Sequence, residues 1–301
     1  MTGTLQGLLD RESEINSLEK SLLLLLLIFS LLFSKSSVWV VTKGADTLYI
    51  GGTIHTLRPQ DYPLPKEFDT AYSRCNSLTL EVDLATLESS RVKAALATRL
   101  SYTNDSTIDQ ALTDSVYKKL VTYFAAKGIS SQHFAKLRPS MVSLMITQFE
   151  MANYNMAKIG VDKFYYNRAI KDSIPVEGLE TAMEQVEFIA DLGGDTPDDL
   201  ILNSFEEVAE FKELVESMIS SWKSGDSDAL ARFLVDKVKS RYPQIYQELL
   251  LDRNLNWLPR IEKKITDPGA TFLLVGAGHL VGSGGLLDLL EKRGYEISYL
   301  E

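Results

Sequence analysis

The segment that decides the fold is Thr271-Phe-Leu-Leu-Val275, which runs directly into Gly276-Ala-Gly-His279. An apolar run of this kind is typical of a strand buried on both faces, as the strands of parallel sheets are. The glycines that follow allow a tight turn and a close approach of the backbone to a bound group. The segment therefore predicts a buried strand with a histidine just past its carboxyl end.

Other β-rich runs lie towards both ends of the chain. Val38–Val41 and Thr47–Ile50 flank a turn over residues 43–46 and predict a β-hairpin. Three further strands are predicted, over Leu78–Val82, Ile174–Gly178 and Tyr295–Leu300. Pro175 places the second of these near a strand start or at a sheet edge, because proline cannot donate to the strand ladder.

Helical patterns fill the intervals between the strands. They cover Pro65–Cys75, Leu84–Leu100, Asp109–Lys127, Pro139–Tyr154, Val161–Lys171, Met183–Leu192, Leu200–Lys223, Asp226–Lys239, Ile245–Thr266 and Gly285–Arg293. Strands that alternate with helices predict an α/β fold, here a central mixed, partly parallel sheet with flanking helices. The mostly helical middle of the chain predicts a large helical cap within about residues 84–266.

Composition excludes several classes of protein. The chain has 301 residues, of which 45% are hydrophobic and 24% are charged, and this profile fits a globular protein with a sizeable core. The formal net charge is −10, so no basic surface for nucleic acid is expected. A single cysteine, Cys75, excludes an intrachain disulfide and a thiolate metal cluster, and we interpret it as a buried structural thiol.

The N-terminal segment is expected to direct export. Leu22–Phe33 is apolar except for Ser30, and twelve residues of helix rise only ~18 Å, well short of the ~30 Å hydrocarbon core. That length suits a signal peptide, although the acidic residues before it also leave an uncleaved anchor open. Residues 1–37 are thus predicted to be a signal peptide or anchor, and residues 38–301 a single domain. We expect a periplasmic or extracellular protein that meets the membrane only through this segment.

Polar side chains follow four of the predicted strands. His55, Glu81 with Asp83, Glu180 and His279 lie at or just past their carboxyl ends. Ligands of open α/β sheets bind at that edge, and a convergence of histidine and carboxylate is typical of a metal or general acid–base site. Imidazole and carboxylate ligands suit Mn, Co, Fe or Zn.

Each of these signals has a structural alternative. Glu81 could face solvent from its strand while Leu78 and Leu80 face the core, and Asp83 could cap the following helix. The third histidine, His133, lies between helices and is interpreted as a packing or surface residue. One Gly-x-x-His motif is a weak signal, but two copies that each close a β-rich run are more specific.

The order of these motifs resembles the TraB/GumN family, relatives of the Tiki metalloproteases. The resemblance covers essentially all of residues 38–301 and is carried by Tyr49–His55, Tyr62–Pro65, Leu78–Asp83, Arg138-Pro139, Gly160–Asp162, Glu177–Thr181 with Glu184-Gln185, Arg253-Asn254 with Trp257, Val275–Gly282 and Gly284–Leu287. It departs from the pattern at Ser140-Met141, where bacterial members often carry a tryptophan.

The resemblance implies an erythromycin esterase/ChaN-like fold whose active centre has two Gly-x-x-His motifs and an acidic residue. By position, His55 and His279 match the motif histidines and Glu81 the acidic residue, while Glu180 and Arg253 match further polar positions. Tiki members are similar to metal-dependent peptidases that use Mn or Co and act on secreted signalling proteins. TraB relatives are linked with loss of peptide-pheromone activity.

The function expected from these residues is metal-dependent hydrolysis of a peptide bond. In this hypothesis His55, Glu81 and His279 hold a divalent transition metal (Mn, Co, Fe or Zn). Glu180 or Asp83 would transfer the proton, and Arg253 would stabilise the oxyanion. Two alternatives stay open, a metal-independent, esterase-like hydrolase with histidine as base and a non-enzymatic protein that binds haem or another ligand. The substrate is expected to be a peptide or a small molecule.

Overall fold

The computed structural model describes residues 35–156 and 158–301. The apolar segment Leu22–Phe33, with most of the predicted signal peptide or anchor, lies outside the described residues. Within the described part of the chain, no helix has the length and apolarity that a membrane span requires.

A six-stranded mixed sheet forms the centre of the fold. The described strands are β1 (Val38–Lys43), β2 (Asp46–Thr53), β3 (Thr56–Leu57), β4 (Ser77–Val82), β5 (Lys158–Ile159), β6 (Val176–Glu180), β7 (Thr271–Gly276) and β8 (Glu296–Tyr299). The order in the central sheet is β6-β4-β7-β2-β1-β8, and β3 pairs separately with β5. Strands β6, β4, β7 and β2 are parallel to their neighbours in this series, whereas β1 is antiparallel to β2 and to β8. The predicted α/β class with a partly parallel sheet is confirmed.

The predicted strands are present, with small shifts of their ends. Strand β7 lies between two parallel neighbours and is buried from Thr271 to Val275, as its apolar run predicts. The hairpin of β1 and β2 turns through Gly44, whose φ is +64°. Pro175 immediately precedes β6, which is an edge strand, so its positional interpretation is also confirmed.

Helices surround the sheet and fill the middle of the chain. They are α1 (Lys66–Ser73), α2 (Leu84–Leu87), α3 (Ser90–Arg99), α4 (Ile108–Ala111), α5 (Asp114–Ala125), α6 (Pro139–Asn153), α7 (Val161–Asp172), α8 (Ala182–Asp191), α9 (Pro197–Ser224), α10 (Ser227–Ala231), α11 (Lys237–Arg241), α12 (Pro243–Tyr246), α13 (Asp252–Thr266), α14 (Ala277–Leu280) and α15 (Leu286–Lys292). Two π-helical turns, Arg232–Asp236 and Gln247–Leu251, connect α10 to α11 and α12 to α13.

Two of the predicted helices are each divided in two. The pattern over 84–100 breaks at Ser89, whose hydroxyl accepts a hydrogen bond from Val92 N–H and caps α3. The pattern over 109–127 breaks at Thr113, whose backbone N–H and hydroxyl both donate to Asp198 on α9. Periodicity alone could not show either break, because the apolar spacing continues across the caps.

The middle helices have a hydrophobic cluster of their own. Side chains from α5 and α6, among them Leu120, Phe124, Val142 and Ile146, are fully buried against Ile201 of α9. The larger core lies against the sheet, where Phe272, Leu274 and their neighbours are buried. The sheet edge that carries the predicted site residues is thus supported by a packed core.

Candidate active site

The carboxyl ends of β2, β4, β6 and β7 meet at one edge of the sheet. His55 lies just past β2, Glu81 is in β4, Glu180 is the last residue of β6, and His279 is in the helical turn after β7. Arg253 reaches the same place from the first turn of α13. The structure therefore brings all five predicted site residues together, although they are spread over more than two hundred positions of sequence.

Arg253 is at the centre of this group. Its Nη2 donates hydrogen bonds to Glu81 Oε2 (2.7 Å) and Glu180 Oε1 (2.8 Å), and its Nη1 donates to His279 Nε2 (3.0 Å). The guanidinium lies 4.7 Å from the ring centroid of Phe188 and 4.5 Å from that of Trp257. Burial lowers the pKa of Arg253, but the two carboxylates outweigh it and the net shift is upward. Arg253 is a fixed cation held between two carboxylates and two aromatic rings.

Glu81 is a buried carboxylate. Only 7% of the residue is exposed, and Oε1 accepts a hydrogen bond from Gly276 N–H at 2.7 Å. Burial by itself raises its pKa, but His279, which is charged at acid pH, together with Arg253, His55 and the Gly276 N–H, brings it down to about 2. The alternative in which Glu81 faces solvent is wrong, because β4 lies between β6 and β7 and is covered on both faces.

His279 is fixed in one tautomer by Asn254. The Asn254 amide group donates to the carbonyls of His279 (3.1 Å) and Gly284 (2.9 Å), so its oxygen is the atom 2.7 Å from His279 Nδ1. Nδ1 therefore carries the proton, and Nε2 presents its lone pair to the site. Burial lowers the pKa of His279 to about 3, so the ring is neutral at pH 7.

His55 lies at the rim of the site. Its side chain is 63% exposed, and its Nδ1 is 2.9 Å from Asp162 Oδ2. Asp162 Oδ1 accepts a hydrogen bond from the Thr53 hydroxyl at 2.7 Å, which fixes the carboxylate. The negative charge of Asp162 is the main reason that the pKa of His55 rises to about 9. As in His279, the ring is anchored through Nδ1, so Nε2 is left for the site.

Asp162 is not among the predicted site residues. It can approach His55 because residue 160, two positions earlier, is a glycine. Any side chain at Gly160 would overlap the backbone of His55 and Ile54. The glycine lets the chain pass close to this loop, where Val161 N–H donates to the Ile54 carbonyl at 3.1 Å. The signal in the sequence was the Gly160-Val-Asp162 motif before a helix, which gives no hint of the partner.

The remaining predicted polar residues have other surroundings. Asp83 caps α2, because its carboxylate accepts from Ala85 N–H (3.1 Å) and the Thr86 hydroxyl (2.7 Å), which confirms the capping interpretation. His133 is exposed in a short turn, as expected for a surface residue. Cys75 is half-buried, and burial raises the pKa of its thiol to about 12.

Glu180 is fully occupied as a hydrogen-bond acceptor. Arg253 donates to both of its oxygens, Gln185 Nε2 donates to Oε1 at 3.1 Å, and Trp257 Nε1 donates to Oε2 at 3.0 Å. The contacts of Glu180 hold Arg253 in place beside Glu81.

A small open space separates the two histidines and Glu81 beside Gly276. A Cβ atom at Gly276 would lie 3.2 Å from Glu81 Oε1, 3.6 Å from His55 Nε2 and 3.6 Å from His279 Cδ2. The donor set of two imidazoles and a carboxylate fits a transition metal. Within residues 35–156 and 158–301, however, no three His, Cys, Asp or Glu side chains form a ready-made metal-binding group. Arg253 is hydrogen-bonded to both Glu81 and His279 Nε2, the atoms that a metal would use.

Fold and site together define an α/β protein in which two Gly-x-x-His segments, a buried carboxylate and a fixed arginine meet at the carboxyl edge of the sheet. The model of the TraB/PrgY/gumN family matches residues 37–299, which is most of the chain. The chain belongs to this family, as the motif order predicts. It matches no curated protein and no solved structure.

Proposed function

We propose that this protein is a hydrolase that cleaves peptide bonds with the help of a divalent metal bound by His55, Glu81 and His279. One observation carries the proposal: both histidines are anchored through Nδ1, by Asp162 and Asn254, with Nε2 left for the site. Metal-binding histidines are typically oriented in this way by a carboxylate or amide on the other ring nitrogen. Glu81 supplies the negative charge that such a site needs.

Each side chain of the site has a separate role in the proposed hydrolysis. A divalent ion, when bound, would supply an activated water at neutral pH and would polarise the carbonyl of the substrate. His55 and His279 would hold the ion through Nε2, and Arg253 would give up its hydrogen bond to His279 while keeping those to Glu180. Arg253 remains beside the centre as a fixed positive charge that stabilises the oxyanion. Glu180 positions Arg253, and Glu81 is the predicted carboxylate that borders the open space.

Metal content of the full chain tests the proposal. The protein is purified without chelator and equilibrated with Mn²⁺ or Co²⁺, next to His55→Ala, His279→Ala and His133→Ala. We expect about one equivalent of metal in the wild type, loss in the first two variants and retention in His133→Ala, because His133 is an exposed residue outside the site. Equal metal content in all four proteins would contradict the assignment.

A second candidate is metal-independent hydrolysis with His55 as general base, as in the esterase branch of the fold. The bond of the exposed His55 ring to Asp162 favours it, since a base is commonly oriented by a carboxylate on its other nitrogen. Because the pKa of His55 is about 9, the ring is mostly protonated at pH 7, and activity by this route should rise towards pH 9. Hydrolysis of a small ester such as p-nitrophenyl acetate, measured with and without EDTA, separates the two. Activity that survives EDTA and falls in Asp162→Asn would favour this candidate over the metal-dependent one.

A further inference from the structure

A cavity of about 810 Å³ adjoins the candidate active site. It shares Glu180, Arg253 and Trp257 with that site and extends from them towards Asp195 and Asp252. Its size falls within the range of ~300–1,000 Å³ that is usual for ligand cavities. A substrate whose reacting bond lies at Arg253 therefore has room to place neighbouring groups in this cavity.

The walls of the cavity are negatively charged. They contain three arginines and six carboxylates. Two of the arginines are neutralised within the wall, because Arg253 is paired with Glu180 and Arg260 with Glu184. Only Arg138 is left to balance the other carboxylates, and its guanidinium comes no closer than 3.9 Å to Asp191.

The excess carboxylates have no cationic partner in the described part of the chain. Glu248 accepts only from Gly193 N–H and the neutral amide of Gln244. Asp252 accepts only from the neutral Gln247 amide, and Asp195 has no hydrogen bond or ion pair among the described residues. Elsewhere on this protein many exposed carboxylates are paired with lysine or arginine, for example Glu88 with Lys163. The cavity thus has both space and uncompensated negative charge next to the candidate catalytic groups.

We propose that this cavity binds a basic segment of a peptide substrate, with lysine or arginine side chains close to the bond that is cut. The proposal rests on the proposed function, since it names the class of peptide that the same site takes. The carboxylates of the cavity attract a cationic side chain, and they repel an acidic one.

The proposal is tested by binding, without reference to cleavage. The probe is an acetylated, amidated hexapeptide of alternating glycine and arginine, and its matched control contains citrulline, which has nearly the shape of arginine without the charge. Isothermal titration calorimetry compares both peptides on the full chain, on Asp195→Asn/Asp252→Asn and on Asp46→Asn/Glu213→Gln. The last variant also loses two exposed carboxylates, but neither lines the cavity.

We expect the arginine peptide to bind at least about tenfold more tightly than the citrulline peptide. The cavity variant should lose about tenfold in affinity for the arginine peptide, and the control variant should stay within about twofold of the wild type. Equal affinity for the two peptides, or an equal effect of the two double variants, would overturn the proposal. Binding without cleavage at any metal concentration would overturn the proposed function alone, whereas cleavage that ignores peptide charge would overturn only this inference.

Discussion

Gly276 is the position at which a single methyl group should remove the site without disturbing the fold. Its backbone has φ −50° and ψ 134°, a conformation open to any residue, so alanine adds no backbone strain there. The added Cβ would lie 3.2 Å from Glu81 Oε1 and 3.6 Å from His55 Nε2. The first distance forces Glu81 to move by a few tenths of an ångström. The methyl group also fills the space that a metal or the attacking water requires.

The expected loss for Gly276→Ala is about a hundredfold in kcat/KM, which corresponds to ~2.7 kcal/mol in the transition state. The free energy of unfolding should change by less than ~1 kcal/mol, because the new contacts are made with side chains and only Glu81 has to shift, by a few tenths of an ångström. Urea denaturation measures the second quantity. Metal content and peptide hydrolysis with Mn²⁺ or Co²⁺ measure the first.

Gly278 provides a matched control two residues away. A Cβ there would meet only Leu234 Cβ at 3.6 Å and Leu250 Cδ2 at 3.9 Å, which are ordinary van der Waals contacts. Gly278→Ala should therefore keep metal content and activity within about threefold of the wild type. The reasoning is refuted if Gly276→Ala retains both, or if the two alanine variants lose them equally.

Three further outcomes are expected. In the metal-free protein, Asp162→Asn should lower the pKa of His55 from about 9 towards its ordinary value, because the substitution removes the main charge that raises this pKa. An NMR titration of the His55 ring in the variant measures it, and a pKa still near 9 would contradict the pairing. Glu81 has a folded-state pKa of about 2, below its ordinary value of 4.5, so its contribution to stability is present above pH 4.5 and lost as the pH falls towards 2. Unfolding midpoints across that window should fall more steeply for the wild type than for Glu81→Gln. Because burial raises the pKa of Cys75 to about 12, Ellman's reagent at pH 8 should label it slowly in the native protein and fully in denaturant.

Helix boundaries show where sequence periodicity stops being informative. The apolar spacing over 84–100 and 109–127 predicts two continuous helices, but each is broken by a polar contact. The hydroxyl of Ser89 caps α3 locally, so that break could have been anticipated from residue type. The break at Thr113 depends on Asp198, which is 85 positions away, and no local pattern contains it.

The site was predictable to the extent that it follows from strand direction. Parallel strands place their carboxyl ends at one edge, so His55, Glu81, Glu180 and His279 could be expected to meet once their strands were identified. The burial of Glu81 could not be predicted, because alternation along a strand gives two faces but not what covers them. That both faces of β4 are covered is shown by the burial of consecutive residues from Leu78 to Val82, which the packing around the sheet decides.

The sequence by itself determined the α/β class, the buried β7 strand, the hairpin and the family, because each depends on local composition and on the order of short motifs. Only the tertiary structure decided which charges meet. Arg253 lies 172 positions from Glu81, and Asp162 lies 107 positions from His55. Hydrogen bonds of this kind depend on distances of about 3 Å, which are fixed by the packing of helices α7 and α13 against the sheet edge. Those packing contacts belong to the whole fold and leave no periodic signal in the chain.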